Sequence, residues 1–395
     1  MCKDRRSPLD QPCRPLIGVV AEIPDLRQAR GKRYPLTAVL ALACVAMLCG
    51  YRSDGAIAEW GRNYGAEALR ALGFAGVSAP CAATLYLLFR ALDRALDRAA
   101  VEAALGRWAE SVLAATPAPE GRGVGVGEGL ACDGKALRGS RKQGAPGAHL
   151  LSVVSQRLGV MVAQAAVDDK TNEIPVLPEV LRGVLREGRV VTMDALLTQR
   201  AVAEAVLEGG GDDVMVAKEN QPGLCDTIAA VLATPAHLAA PPETAQTLDL
   251  GHGRIERRCL TVRALLPRDC AWPGARQVFV IERHVTVKKT GKQHHERVYG
   301  VTSLAPERAR AHDLLRLLRG HWHSENRTHW VRDVTFDEDR SQVRTGTIPQ
   351  VMAALRTTAL GLLRRTGTSN IAAACRHYAA QPGEALALLG LTPEN

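Results

Sequence analysis

The stretch from Gly129 to Ala217 constrains the fold most, because its apolar runs are short and change period from one to the next. Gly129 to Asp133, Leu150 to Gln156 and Val160 to Val167 read as strands, the last two joined by a turn at Leu158-Gly159. Ile174 to Arg186 reads as a helix, Val190 to Asp194 as a strand, Gln199 to Leu207 as a helix and Asp213 to Ala217 as a strand. The order strand, strand, strand, helix, strand, helix, strand predicts an α/β layered domain.

The texture on either side differs. Ile23 to Thr116 reads as helices: Leu36, Val39, Leu40 and Ala43 recur at helical spacing, and Ser53-Asp54-Gly55 can cap a new helix from Ala56. The first fifteen residues read as a polar arm, and the run Pro117 to Gly129, with two prolines and five glycines, marks a domain boundary. Beyond the α/β stretch, Thr247 to Leu250, Arg254 to Val262, Gln277 to Val287 and Glu296 to Ser303 have strand-like patterning. Pro306 opens a helical stretch to about Asp333, with Leu314, Leu315, Leu318 and Trp322 on its apolar face, and Ile348 to Arg364 is a further helix. The predicted division is a helical domain over 1–120, a core over 126–220, a β-rich insertion over 221–301, the core resumed over 302–365, and a tail over 366–395.

Charge narrows the partners. Fifty Lys and Arg against 41 Asp and Glu give a net charge of +9 and a pI near 9.2, which favours polyanions and makes nucleic acid a natural partner. Aromatic residues are only 4 % of the chain, which argues against a base-stacking platform. The ten cysteines form no C-x-x-C pair and have no histidines at zinc-ligand spacing, so they read as free thiols of a reducing, cytoplasmic setting. The apolar run Leu36 to Cys49 is too short to span a bilayer comfortably and reads as a buried helix.

Three acidic residues sit where pattern alone would not put them. Asp133 ends the apolar run Leu130-Ala131-Cys132, and Asp194 ends Val190-Val191-Thr192-Met193. A charge at the end of a buried strand is costly unless paired, so each is open to three readings: a partner of Lys or Arg, a cap for the following turn, or part of a site. Glu325 lies in Gly320-His321-Trp322-His323-Ser324-Glu325-Asn326-Arg327-Thr328-His329-Trp330, where helical spacing puts Trp322, Glu325 and His329 on one face. The pattern His-x-Glu-x-x-x-His is not the H-E-x-x-H of zinc proteases. Together the three carboxylates make sense as hard oxygen ligands for Mg²⁺ or Mn²⁺, and two such ions can stabilise the attacking and leaving oxygens of a phosphoryl transfer. Lys288, Lys289 and Lys292 lie around the predicted hairpin tip Lys289-Thr290-Gly291-Lys292; a basic hairpin can grip a phosphate backbone or keep an edge strand soluble.

At these residues the chain resembles the DDE insertion-sequence transposases of the ISAs type, a group that includes the H-repeat-associated proteins of Rhs elements. The matching segments, in order, are Ile23-Pro24-Asp25-Leu26-Arg27, Asp133-Gly134-Lys135-Ala136-Leu137-Arg138-Gly139, Asp194-Ala195, Lys218-Glu219-Asn220-Gln221, His252-Gly253-Arg254-Ile255-Glu256, and Gly320-His321-Trp322 through His329-Trp330 to Asp333-Val334-Thr335-Phe336. The resemblance spans about Ile23 to Leu363 and implies a ribonuclease-H-like catalytic core in which the first and fourth strands are neighbours, so that Asp133 and Asp194 meet and Glu325 arrives from a later helix. It implies two Mg²⁺ (or Mn²⁺) ions held by Asp133, Asp194 and Glu325.

The reaction implied is cleavage at a transposon end, which frees a 3′-hydroxyl that then attacks target DNA. The partners implied are double-stranded DNA, recognised at its ends by the N-terminal helices, and a second protomer. Tyr, Arg and Lys, common around the glutamate in the wider superfamily, are replaced by Leu318, His321 and Arg332; Glu219 stands where this group more often has Gly, and Asp213 where an aromatic is usual. His321, Arg332 and Lys218 are the candidate phosphate contacts, with Lys288, Lys289 and Lys292 as further DNA contacts. Two rivals share these motifs: a nuclease that cuts without joining, and a domesticated DNA-binding protein that no longer catalyses.

Overall fold

The computed structural model describes residues 13–27, 32–76, 78–95, 98–116, 126–141, 147–167, 172–235, 237, 239–251, 253–266 and 269–391, with 93–95, 98 and 325 described by backbone alone. Most of the polar arm and of the Pro117 to Gly129 boundary lies outside the described residues.

Among the described residues six helices come first: α1 (Leu16–Val20), α2 (Leu36–Leu48), α3 (Asp54–Asn63), α4 (Gly65–Ala71), α5 (Ala82–Ala95) and α6 (Arg98–Ala115). Every residue of α2 except Thr37 is buried, which a helix apolar on all sides requires. The Ser53 hydroxyl accepts a hydrogen bond from the Ala56 amide and starts α3. Among the described residues no helix is long and apolar enough to cross a membrane.

Strands β1 (Glu128–Ala136), β2 (His149–Ser155) and β3 (Met161–Val167) form an antiparallel meander. Helix α7 (Leu177–Arg182) leads to β4 (Arg189–Met193), parallel to β1, and α8 (Arg200–Glu208) leads to β5 (Asp212–Ala217), parallel to β4. Strands β4 and β5 are buried on both faces, as parallel strands covered by helices are. After α9 (Pro222–Ala233) come β6 (Glu243–Gly251), β7 (Arg254–Ala264), β8 (Gln277–Val287) and β9 (Gln293–Thr302), all antiparallel. Strand β9 pairs with β5, so the nine strands form one mixed sheet in the order β3-β2-β1-β4-β5-β9-β8-β7-β6.

Helix α10 (Ala311–Val334) crosses one face of this sheet, and α11 (Ile348–Arg365), α12 (Ile371–Ala380) and α13 (Pro382–Leu388) complete the chain. Helix α11 is buried from Ile348 to Leu363 and packs on α2, α5, α6 and β3. Residues 371–388, read from sequence only as a tail, form α12 and α13, which pack on α2; Tyr64 Oη donates to Ala379 O at 2.6 Å.

Strand alternation decides which residues meet α10. Leu130, Cys132, Val191 and Met193 point into the larger core with the N-terminal helices and α11. Val190, Val214 and Val216 point to the other side, with Leu314, Leu315, Leu317 and Leu318 of α10. Period two therefore carries Asp133, next after Cys132, and Asp194, next after Met193, to the α10 side.

Candidate active site

The two aspartates stand at the same end of neighbouring parallel strands. Cys132 is the register partner of Met193, so Asp133 and Asp194 follow at equivalent places on β1 and β4. Asp194 is exposed beyond the end of β4, and its Oδ1 accepts from the Leu197 amide at 3.2 Å. Asp133 is partly buried, and its Oδ2 lies 3.3 Å from His329 Nδ1. Glu325 lies on α10 one turn after His321 and one turn before His329.

Three contacts fix α10 over the strand ends. Gln156 Nε2 donates to Thr192 Oγ1 at 2.8 Å and to Leu317 O at 3.1 Å, tying β4 to the helix. Thr192 Oγ1 is also 3.0 Å from His321 Nδ1. Close approach is possible because Gly129 and Gly320 have no side chains: a Cβ at Gly320 would lie 2.2 Å from Gln156 Oε1, and one at Gly129 would lie 2.6 Å from it. At the far end of α10, the buried Lys135 Nζ donates to both carboxylate oxygens of Asp333, at 2.7 and 2.8 Å. The Gly320-His321 and Asp133-Gly134-Lys135 segments thus dock one helix onto one sheet.

Burial keeps both histidines of this face neutral near pH 7. Burial lowers His321, against the pull of Asp194. Burial, with Arg332 and Lys135 adding to it, pushes His329 down to about 3. His329 therefore meets Asp133 as a neutral ring able to donate an N–H to the carboxylate.

A cleft of about 620 Å³ opens beside Asp194, between α10 and the outer strands β6 to β9. His321, Trp322 and Asn326 line it from α10, Lys218 from the end of β5, and Arg254, Arg258 and Arg283 from β7 and β8. Lys218 Nζ faces Glu296 Oε1 at 3.4 Å. Lys288, Lys289 and Lys292 are exposed at the β8–β9 turn, which closes through Val287 N to Lys292 O at 2.9 Å with Gly291 at φ +67°. They are not among the residues lining the cleft.

Arg332 stands elsewhere. Read from sequence as a phosphate contact, it is 0 % exposed and bound to Glu338, with Nε 2.9 Å from Oε2. Arg356 of α11 holds the other oxygen of Glu338 at 3.2 Å. Its guanidinium therefore belongs to a buried ion triad and does not reach a surface where DNA could lie.

Sequence reasoning gave no role to Gln156, Thr192 or Arg258. Gln156 closes the second strand run with nothing to distinguish it from a surface glutamine. Arg254 and Glu256 fall inside a recognised motif, but nothing in the sequence showed that β7 would wall the cleft.

A profile of the transposase DDE domain matches residues 125–362, and a DDE_Tnp_1-associated profile matches residues 17–109. The chain belongs to the DDE transposase family. Relatives of this transposase include a protein of Escherichia coli O157:H7 that carries the name transposase YncI, 26 % identical over 358 residues, covering 88 % of this chain and 87 % of that protein. A protein from the dhlA 3′ region of Xanthobacter autotrophicus is 34 % identical over 265 residues, covering 66 % of this chain and 85 % of its own length. The H repeat-associated protein of Escherichia coli K12 named transposase YhhI is 28 % identical over 245 residues, covering 59 % of this chain and 63 % of its own. The family match and these relatives make the chain a DNA transposase.

The donor set suits divalent cations. Asp133 and Asp194 are hard carboxylate donors at the ends of neighbouring strands, and the neutral histidines nearby add no positive charge that would repel a cation; among the described residues, which leave out the Glu325 side chain, no three such donors gather at one point.

Proposed function

We propose that this transposase cleaves and joins DNA strands on a ribonuclease-H-like core, with Asp133, Asp194 and Glu325 holding two Mg²⁺ or Mn²⁺ ions. The observation that carries this is the placement of Asp133 and Asp194 at the ends of adjacent parallel strands, under the helix that bears Glu325. An antiparallel β3-β2-β1 meander followed by parallel β4 and β5 supports the ribonuclease-H-like reading. The bound ions would supply Lewis-acid stabilisation of the attacking and leaving oxygens.

The protein's own groups position the DNA and the carboxylates. His329 orients the Asp133 carboxylate by donating to it. His321, held by Thr192, closes the wall of the cleft beside Asp194 without charge of its own. The cleft admits the strand to be cut, and Lys218 meets its backbone there. The lysines of the β8–β9 tip contact DNA outside the cleft. The helices of residues 1–120 recognise the ends of the element, residues 126–220 and 302–365 form the catalytic core, and residues 221–301 are its β-rich insertion. Two protomers would bring two ends together.

The test is strand cleavage and transfer by the purified protein with Mg²⁺, on a duplex carrying the terminal DNA that flanks its gene. Joined products are expected from the wild type and none from Asp133→Ala, Asp194→Ala or Glu325→Ala. Full activity in any of the three would remove that residue from the site.

A further inference from the structure

We propose that Arg254 is the phosphate-binding residue on the outer wall of the cleft, holding the backbone of the strand whose scissile bond lies at Asp194. Among the described residues the cleft is lined by four Lys and Arg: Lys218, Arg254, Arg258 and Arg283. Three of them are tied to carboxylates of the same wall. Lys218 faces Glu296; Arg258 pairs with Asp249 and, at 2.7 Å, with Glu256; Arg283 pairs with Glu256 and, at 3.6 Å, with Glu296. Among the described residues Arg254 has no carboxylate within ion-pair distance, and it is exposed. Arg258 and Arg283 therefore brace β7 and β8 against their neighbours, and Arg254 carries the positive charge that the wall leaves uncompensated.

Its backbone is held in place. Gly251 and Arg254 are register partners on β6 and β7, and Gly253, just before Arg254, has φ +70°. The Lys288 amide donates to Gly253 O at 2.8 Å, and Arg254 is the register partner of Val287 on β8. The turn that presents Arg254 is thus fixed to the base of the β8–β9 tip bearing Lys288, Lys289 and Lys292. A strand gripped at the tip can continue past Arg254 to Asp194 along one surface. A guanidinium suits this place because its planar fork meets two phosphate oxygens at once.

The inference rests on the proposed site at Asp194, and its test keeps the two apart. Binding of the end-bearing duplex is measured across a salt series for wild type, Arg254→Gln, Arg254→Lys and Arg257→Gln. Arg257 is a control, an exposed arginine of β7 outside the cleft that bonds Gln246. Arg254→Gln should lower the slope of log affinity against log salt by about one and cut cleavage at least about 10-fold. Arg254→Lys should restore the slope but not the full rate, and Arg257→Gln should leave cleavage unchanged.

Neutral methylphosphonates are then placed one at a time along the strand. Wild type should lose affinity at a phosphate near the cut that Arg254→Gln no longer senses. An unchanged salt slope in Arg254→Gln, or additive losses at every phosphate, would overturn the assignment. Cleavage by Asp194→Ala in the same assay would instead overturn the site reading, whatever Arg254 does.

Discussion

The ion triad under the end of α10 gives a quantitative test of what Arg332 does. Arg332, Glu338 and Arg356 side chains are 0, 1 and 2 % exposed. Burial raises the Glu338 carboxyl, but Arg332, Arg356 and Lys135 outweigh it and hold the group below its ordinary value. Glu338→Gln leaves two guanidiniums in the core without a counter-charge, and breaking a buried pair costs about 3–5 kcal/mol.

With a melting entropy of roughly 2.1 cal/mol/K per residue over 395 residues, that cost lowers Tm by about 4–6 °C. Arg332→Met removes one of the two guanidiniums on Glu338 and leaves Arg356 as its partner, so it should lower Tm by less than Glu338→Gln, while replacing all three with apolar residues should recover much of the loss. The sign with pH follows from the depressed carboxyl: its stabilisation is present above the ordinary carboxylate range and is lost as pH falls through its folded value. Wild type and Glu338→Gln should therefore converge in acid. Thermal unfolding by circular dichroism, paired with a DNA-binding salt series, reads both quantities. Arg332→Met should lower Tm and leave the salt slope unchanged. A slope reduced by about one with an unchanged Tm would restore Arg332 as a DNA contact and refute this reasoning.

Three further outcomes are expected. Asp213 is fully buried beside Asp212 and burial pushes it up to about 7, so its native form keeps a proton that the unfolded chain loses; stability should fall as pH rises from about 4 to 7, and Asp213→Asn should raise Tm more at pH 8 than at pH 5. Equal Tm gains at both pH values would contradict this. Gly320→Ala forces Gln156 off Thr192 and Leu317, a loss of about 1 kcal/mol per hydrogen bond against a helix-propensity gain of about 1 kcal/mol. Tm should barely move while strand transfer drops, and unchanged transfer would mean that α10 needs no such docking. Replacing Lys288, Lys289 and Lys292 together with Ala should lower the salt slope of DNA binding by about 3, as the loss of three phosphate contacts would; an unchanged slope would leave the tip with a solubilising role only.

The layers were legible because each local pattern agreed with its neighbours. The apolar runs before Asp133 and Asp194 are buried in the larger core through Cys132 and Met193, and period two does the rest. The four outer strands were legible from alternation in the same way, though their joining to β5 through β9 was not, since strand pairing is non-local. Arg332 was misread because its partners, Glu338 and Arg356, lie outside its own helix and nothing in a linear pattern marks them as buried. Gln156 was missed for the same reason: its bonds reach β4 and α10, and two distant glycines make room for it. The cleft wall depended on which arginines find carboxylates across strands, a matter of register that the motif His252-Gly253-Arg254-Ile255-Glu256 does not reveal; within it, His252 lies outside the described residues.

Metal ligation by the carboxylates is the central claim, and a change of ligand hardness tests it most directly. A thiolate is a poor ligand for Mg²⁺ and a better one for Mn²⁺. Strand transfer is measured for Asp133→Cys and Asp194→Cys in each metal, with circular dichroism confirming the fold. Both variants should be inactive in Mg²⁺ and regain activity in Mn²⁺. Full activity in Mg²⁺, or folded protein that stays inactive in Mn²⁺, would contradict the assignment.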